Sequence, residues 1–245
     1  MEKRTAIVTG AARGIGRSIA IELAKQGNYV CIADISDAGE KVQNEINALG
    51  GRAKFRQVDV ADYDSVKNCV EEIFAESGDA SILVNNAGIR PTCPFGEMTP
   101  KEWVRVHQVN LDSVFYFCSA VFPKMRDKNW GRIINLSSLA AQQGSTGGHS
   151  HYASSKSGVV GLSKSLAREF APYQITVNVI SPGWIDTEGW DGELDGKRET
   201  YAARVPVGRL GLPDDVAYAA AFLTSEQAGY ITGVNLPVNG GLYIS

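Results

Sequence analysis

Short apolar runs alternate with stretches in which apolar residues recur every three or four positions, and this rhythm occupies most of the chain. The runs 5–9 and 29–33 are short, apolar and of strand length. Between them Ile15, Ile19 and Leu23 fall at i, i+4 and i+8, which gives a helix one buried face. Val42, Ile46 and Leu49 repeat the pattern before a third run at 53–60. Val66, Val70, Ile73 and Phe74 do the same before a fourth at 82–84.

Thr99-Pro-Lys-Glu102 reads as a helix start, with Thr as N-cap, Pro in the first turn and Glu closing a capping box. The helix it opens is expected to reach Met125 despite Pro123. A fifth strand at 132–136, a helix at 152–170, a sixth strand at 175–180, a helix from about Pro213 and a seventh strand at 234–238 complete the series. Repeated βα units with strands apolar on both faces predict an α/β fold. Its seven-stranded, mostly parallel sheet carries helices on both faces, and right-handed crossovers favour a doubly wound arrangement. No Pro/Gly-rich linker and no fixed-period repeat interrupts the pattern, so residues 1–245 read as a single domain. The rhythm breaks at about 186–205, which holds Gly189, Gly192, Gly196, several charges, Trp190 and Tyr201, with Trp184 just before it. A loop or flap over a site is expected there.

A chain of 245 residues with 44% hydrophobic content can bury a substantial core. Its formal charge of −3 offers no basic field for nucleic acid. No apolar run reaches the ~18 residues of a membrane span. Met1-Glu-Lys-Arg leads directly into the first strand, so no signal peptide is expected. Cys31, Cys69, Cys93 and Cys118 lie far apart without a C-x-x-C pair, which reads as free thiols in a reducing cytoplasm. His107, His149 and His151 show no ligand spacing, so no metal site is expected.

Two motifs change this picture. Tyr152-Ala-Ser-Ser-Lys156 sets a phenol and an ammonium one helical turn apart. A nearby, partly desolvated cation stabilises a phenolate, so Tyr152 is a candidate for trading a proton with an alcohol or ketone near neutral pH. After the first strand comes Thr9-Gly-Ala-Ala-Arg-Gly-Ile-Gly16. Gly10, Gly14 and Gly16 permit a tight turn and a close approach of backbone to a pyrophosphate at a helix N-terminus. The second strand ends at Asp34, 18 residues after Gly16, where a carboxylate can accept hydrogen bonds from an adenosine ribose and repel a 2′-phosphate. That favours NAD(H). Arg13, beside the loop, pulls towards NADP by offering a phosphate partner, or else stands solvated or paired with Asp34.

These residues resemble the short-chain dehydrogenase/reductase family over nearly the whole chain. Thr9–Gly16 looks like its TGxxxGxG loop, Asn85-Asn-Ala-Gly88 like NNAG, Tyr152/Lys156 like YxxxK and Pro182-Gly183 with Thr187 like PGxxxT. The resemblance implies a Rossmann-type fold and a catalytic set of Asn110, Ser138, Tyr152 and Lys156. Tyr152 is similar to the general acid/base. Lys156 would hold the nicotinamide ribose and lower the phenol pKa, Ser138 would position the substrate oxygen, and Asn110 would hold a water on a proton path. Ile15 lies within the loop motif. Asp59 and Val60 look like adenine contacts, Asn86, Ala87 and Gly88 border the adenosine side, and Ile185 with Thr187 resembles a clamp on the carboxamide. Ser137 adjoins Ser138, and Ser138 precedes Tyr152 by 14 residues, one more than related reductases carry; which serine faces the cleft stays open.

The expected activity is NAD(H)-linked hydride transfer with a secondary alcohol or ketone of the polyol, sugar or hydroxy-compound type. The surrounding text resembles the 3-oxoacyl-carrier-protein reductase branch, so NADPH-linked acyl reduction is the alternative. A non-catalytic NAD-binding sensor and an epimerase or dehydratase are minor ones. An acyl-carrier partner needs basic surface near the cleft, for which Arg90, Arg126, Lys128 and Arg132 are the candidates against a plain solvated face. The segments 90–95, 139–151 and 184–201 are expected to set specificity. Within them, His149 and His151 either contact substrate or cap a helix. The resemblance also implies a homotetramer, with the helices at 99–125 and 152–170 and the C-terminal segment as interfaces, and the cysteines point to a cytoplasmic location.

Overall fold

Seven β-strands form one sheet in this computed structural model, which describes residues 3–190 and 195–244. Gly192, part of the expected flap, lies outside the described residues. In chain order the elements begin β1 (Thr5–Thr9), α1 (Gly14–Lys25), β2 (Tyr29–Asp34), α2 (Gly39–Ala48), β3 (Arg52–Gln57), α3 (Tyr63–Ser77) and β4 (Ile82–Asn85). They continue with α4 (Pro100–His107), a π-helical turn (Gln108–Asp112), α5 (Ser113–Asp127), β5 (Gly131–Leu136), α6 (Ala140–Gln143), α7 (Ser150–Phe170) and β6 (Ile175–Pro182). The series ends with α8 (Arg198–Ala202), α9 (Pro213–Leu223) and β7 (Asn235–Val238). Strand order is β3-β2-β1-β4-β5-β6-β7, and all six pairings are parallel.

Alternation along the strands divides the core. Ala6, Val8, Ile134 and Leu136 pack with Ile19, Leu23 and Val216 on the face covered by α1, α2 and α9. Their neighbours Ile7 and Ile133 point the other way, onto Val70, Phe117 and Val159 from α3, α5 and α7. Two-sided burial is why these strands read as continuous apolar runs rather than alternating ones. The chain reverses its direction of travel across the sheet between β1 and β4, so the crevice beyond their C-terminal ends is the natural ligand position.

Two expectations need correction. The helix expected at 99–125 begins as predicted, with Thr99 Oγ1 accepting the Glu102 N–H at 3.2 Å. It does not run on as one α-helix, because the π turn inserts at Gln108–Asp112 and turns Asn110 fully inward. The third strand stops at Gln57 rather than 60, although the Val58 N–H still donates to the Asp34 carbonyl at 2.9 Å. Among the described residues no helix is long and apolar enough to cross a membrane.

A buried polar chain crosses the middle of the sheet. Asn85 Nδ2 on β4 donates to Asn135 Oδ1 on β5 at 2.8 Å, and Asn135 Nδ2 donates to Ser163 Oγ on α7 at 2.8 Å. Asn135 is fully buried, so its truncation removes one hydrogen-bond partner from each of two buried neighbours. Asn135→Ala is expected to lower stability by about 1–3 kcal/mol, read as a shift in the urea midpoint. An unchanged midpoint would mean that water replaces both bonds at no cost.

Candidate active site

The glycine loop closes on itself and on the segment after β4. Gly10 and Gly14 adopt φ of +62° and +54°, a region that glycine enters without strain. A Cβ on Gly10 would stand 2.8 Å from Ala87 Cα, and one on Gly16 only 2.3 Å from the Gly10 carbonyl oxygen. Asn86 Nδ2 donates to the carbonyls of Thr9 and Gly10 at 3.0 and 2.9 Å. The N–H groups of Asn86 and Ala87 both donate to Thr9 Oγ1 at 3.0 Å. Asn86 and Ala87 therefore act on the loop itself, a structural duty the motif did not disclose. Gly88 lies deeper, where a Cβ would stand 3.2 Å from Asn110 Oδ1 and 3.4 Å from Lys156 Nζ. Beyond the loop, α1 starts at an Arg13 N-cap with no side-chain capping bond and no acidic residue in the first turn. Its leading N–H groups suit an anion, so the cradle fits a dinucleotide pyrophosphate.

Asp34 ends β2 beside this loop. Its Oδ2 accepts the Ala12 N–H and its Oδ1 the Ser36 N–H, both at 2.9 Å. Arg13 is exposed, and half-buried Ile15 packs inward. Just past β3, Asp59 is exposed and accepts the Ala61 N–H at 2.9 Å, while Val60 is buried. Pro182 closes β6, the Gly183 N–H donates to the Val238 carbonyl at 2.9 Å, and Ile185 bridges to Gly211. Thr187 Cγ2 lies 3.6 Å from where a Gly14 Cβ would be, so this segment arches back over the loop. A cavity of about 290 Å3 lies between Gly14, Arg17, Thr187 and Arg198.

Tyr152 and Lys156 occupy successive turns of α7, as their spacing requires. Of the adjacent serines, Ser138 is the one whose hydroxyl acts on the Tyr152 phenol, holding its pKa down, and its Oγ accepts the Ala140 N–H at 3.1 Å. Ser137 is buried and donates to the Lys156 carbonyl at 2.9 Å. Strand alternation separates the two. Lys156 Nζ donates to the Leu136 carbonyl at 2.8 Å, and burial pulls its pKa down to about 8. Burial also raises the Tyr152 phenol above its ordinary value, opposed by the Ser138 hydrogen bond and the Arg90 charge. Lys156, expected to lower the phenol, is turned to Leu136; the cation acting on Tyr152 in this structure is Arg90. The π turn delivers Asn110 to the same place. Its Oδ1 accepts the Ile89 N–H at 2.8 Å, and its Nδ2 donates to the Ile89 carbonyl at 3.0 Å and to Ser155 Oγ at 3.1 Å.

Further contacts were not legible in the sequence. Arg90 Nη1 donates to His149 Nε2 at 3.3 Å, and the other ring nitrogen, Nδ1, donates to the Pro91 carbonyl at 3.1 Å. His149 holds the N-cap position of α7 without capping it by side chain, and His151 is fully buried, so neither caps the helix. Trp184 and Trp190 pack on Tyr201 with centroids 5.0 and 5.6 Å apart, which makes these aromatics the body of the flap. The basic surface proposed for the cleft is not assembled within one chain. Arg132 is buried at the opposite end of β5, donating to the carbonyls of Gly131, Gln174 and Ser225. Arg126 pairs with Asp127 and Lys128 with Asp79 at that same end. Of these four candidates, Arg90 is the one beside the cleft, bonded to His149.

Lys156 carries a pH signature. Its folded pKa of about 8 lies below the ~10.4 of an unfolded lysine. Below about pH 8 both states are protonated and the folded state bears the whole cost of the buried charge. Between the two values the unfolded chain binds more protons, so stability rises with pH. The protein should gain stability relative to Lys156→Met as pH climbs through this window, measured by urea midpoints. Parallel profiles for the two proteins would contradict a buried ammonium.

Comparison with known proteins agrees with this geometry. Residues 10–243 match the family model described as "Enoyl-(Acyl carrier protein) reductase". The chain is 44% identical over 245 residues to the 3-oxoacyl-[acyl-carrier-protein] reductase FabG of Haemophilus influenzae, covering 100% of both. It superposes on the crystal structure of gox2181 with a TM-score of 0.95 at 31% identity, covering 99% of this chain and 96% of the other. A structure described as a "putative NAD(P) dependent gluconate 5-dehydrogenase" from Beutenbergia cavernae, with NADP bound at low occupancy, matches at a TM-score of 0.92 and 36% identity, covering 98% and 96%. With the glycine loop, the Asn85–Gly88 turn and the Tyr152/Lys156 pair placed as described, the chain belongs to the short-chain dehydrogenase/reductase family and is an oxidoreductase.

Proposed function

We propose that the chain interconverts a ketone and a secondary alcohol with a nicotinamide dinucleotide, Tyr152 exchanging the proton. The observation that carries this is the placing of Tyr152 and Lys156 on successive turns of α7, with Lys156 Nζ against Gly88 of the turn that locks a loop fitting a pyrophosphate. The dinucleotide supplies or accepts the hydride. Tyr152 gives its hydroxyl proton to the substrate oxygen in reduction and takes it back in oxidation. Ser138 donates to the same oxygen and stabilises the charge that develops there. Lys156, next to Gly88, holds the nicotinamide ribose hydroxyls and passes protons, and Asn110 fixes the segment around it. Gly10, Arg13, Gly14, Ile15 and Gly16 cradle the phosphates. Asp34 takes the adenosine ribose, and Asp59 and Val60 border the adenine. Asn86 and Ala87 hold the loop in shape, and Pro182, Gly183, Ile185 and Thr187 clamp the carboxamide.

For the substrate, the names of the 44% identical relatives favour a 3-oxoacyl thioester on acyl carrier protein. A polyol or sugar acid is the second reading, supported by the gluconate 5-dehydrogenase neighbour and by basic residues lying away from the cleft within the chain. A homotetramer is consistent with exposed Trp103 and Phe115 on α4 and α5 and with exposed Tyr230 and Ile244 near the C-terminus. For the cofactor, Asp34 supports NAD(H). Like charges ~4 Å apart repel by about 1–4 kcal/mol, which is roughly fivefold or more in affinity. The neighbour with bound NADP and the exposed Arg13 mark the competing preference.

Tyr152→Phe should lower turnover of a 3-oxoacyl thioester about 100- to 10,000-fold while NADH affinity, read by fluorescence, stays nearly unchanged. Turnover close to wild type would remove Tyr152 from the mechanism. Catalytic efficiency should favour NADH over NADPH by roughly fivefold or more, and Asp34→Ala should narrow the gap. A wild-type preference for NADPH would reverse the cofactor reading.

A further inference from the structure

Ser154 and Ser155 stand between Tyr152 and Lys156 on α7, and each ties that turn to the helix beside it. Both hydroxyls donate to a carbonyl three residues back, Ser154 to His151 at 2.9 Å and Ser155 to Tyr152 at 2.8 Å. Both also meet a partner across the seam. Ser154 Oγ lies 3.1 Å from His107 Nε2 at the end of α4, and Ser155 Oγ accepts from Asn110 Nδ2 at 3.1 Å in the π turn. Their onward connections differ. His107 Nδ1 donates to the Trp103 carbonyl at 2.9 Å, within α4. Asn110 instead holds the backbone of Ile89 by both its N–H and its carbonyl, at 2.8 and 3.0 Å. A Cβ on the preceding Gly88 would stand 3.2 Å from Asn110 Oδ1 and 3.4 Å from Lys156 Nζ, so turn, amide and ammonium share one place. Ser155 and Asn110 are both fully buried.

We propose that Ser155 is a positioning residue for the reaction: it fixes the Asn110 amide, and through that amide holds the turn at Gly88 and Ile89 against Lys156. This role rests on Tyr152 and Lys156 being the catalytic pair. The Ser155 hydrogen is given to the Tyr152 carbonyl, so its oxygen is left to accept and the amide must present Nδ2 to it. The other Nδ2 hydrogen goes to the Ile89 carbonyl, which leaves Oδ1 for the Ile89 N–H. Serine and turn thus demand the same amide orientation. Without the serine oxygen, one amide hydrogen is buried with no partner, and the amide finds another by turning away from Ile89. The turn then loosens, and Lys156 loses the wall beside which it would hold the nicotinamide ribose.

Ser155→Ala should lower kcat for ketone reduction about tenfold while the KM of the ketone changes less than about threefold. Hydrogen exchange at the Ile89 amide, read by NMR, should speed up by about tenfold in the same variant. Ser154→Ala is the control, because it removes the matching pair of bonds from the same seam. It should leave both readings within about twofold of wild type. Equal losses of kcat in the two variants would mean that Ser155 merely packs α7 against its neighbour, and would overturn the proposal. So would unchanged Ile89 exchange in Ser155→Ala, or faster exchange with kcat unaffected. If Ser155→Ala does not fold, Ser155→Cys keeps the shape with a weaker donor and acceptor. It should move both readings the same way by a smaller step, and unmoved readings there overturn the proposal equally. Should Tyr152→Phe keep wild-type turnover, the assignment of Tyr152 fails instead, while Ile89 exchange still reports whether Ser155 holds the turn.

Discussion

The site depends on how α7 is fixed to β5. Three hydrogen bonds make that joint: Asn135 to Ser163, Ser137 to the Lys156 carbonyl, and Lys156 to the Leu136 carbonyl. Hydrophobic packing of α7 through Val159 and Ala167 supplies adhesion but little register, because dispersion contacts are non-directional. Hydrogen bonds between buried groups have strict length and angle requirements, and leaving one unmade is costly. The joint therefore sets both the rotation of α7 and its height on the strand. Both must be right for a phenol on the helix to meet a hydroxyl at the end of the strand.

That same burial sets the electrostatic problem. Removing water penalises both charged forms, so the phenol rises and the lysine falls to about 8. A helix-spaced Tyr and Lys do not solve this by themselves, since Lys156 spends a donor on Leu136. The opposing influences come from outside α7, with Ser138 from the end of β5 and Arg90 from the loop after β4. Each arrives by a different stretch of chain. The protonation balance of one side chain is thereby tied to the placement of several elements.

The loop at the first strand shows a comparable division of labour. Gly10 and Gly16 are where the backbone must approach other backbone too closely for any Cβ. Asn86 and Thr9 then lock that approach with hydrogen bonds across the β1–β4 boundary. The phosphate cradle is thus built from residues 76 or more positions apart in sequence, joined where the sheet changes direction. Crevices for ligands arise at such points because the flanking connections leave in opposite directions.

Periodicity alone was sufficient for the seven strands, the main helices and their parallel doubly wound arrangement, because burial on one or two faces writes itself into residue spacing. Local motifs likewise marked the glycine loop, Asp34 and the Tyr152/Lys156 turn, since each depends on neighbours within one element or one connection. The π turn at Asn110 was not legible, because its extra residue is paid out by contacts with Ile89 and Ser155 rather than by local pattern. The choice between Ser137 and Ser138 needed the pleat of β5 set against α7, and the strut from Arg90 to His149 joins positions 59 residues apart. The positions of the basic residues Arg126, Lys128 and Arg132 relative to the cleft stayed open for the same reason: spacing encodes which face a residue takes, whereas its neighbours across the fold are decided only when the layers pack.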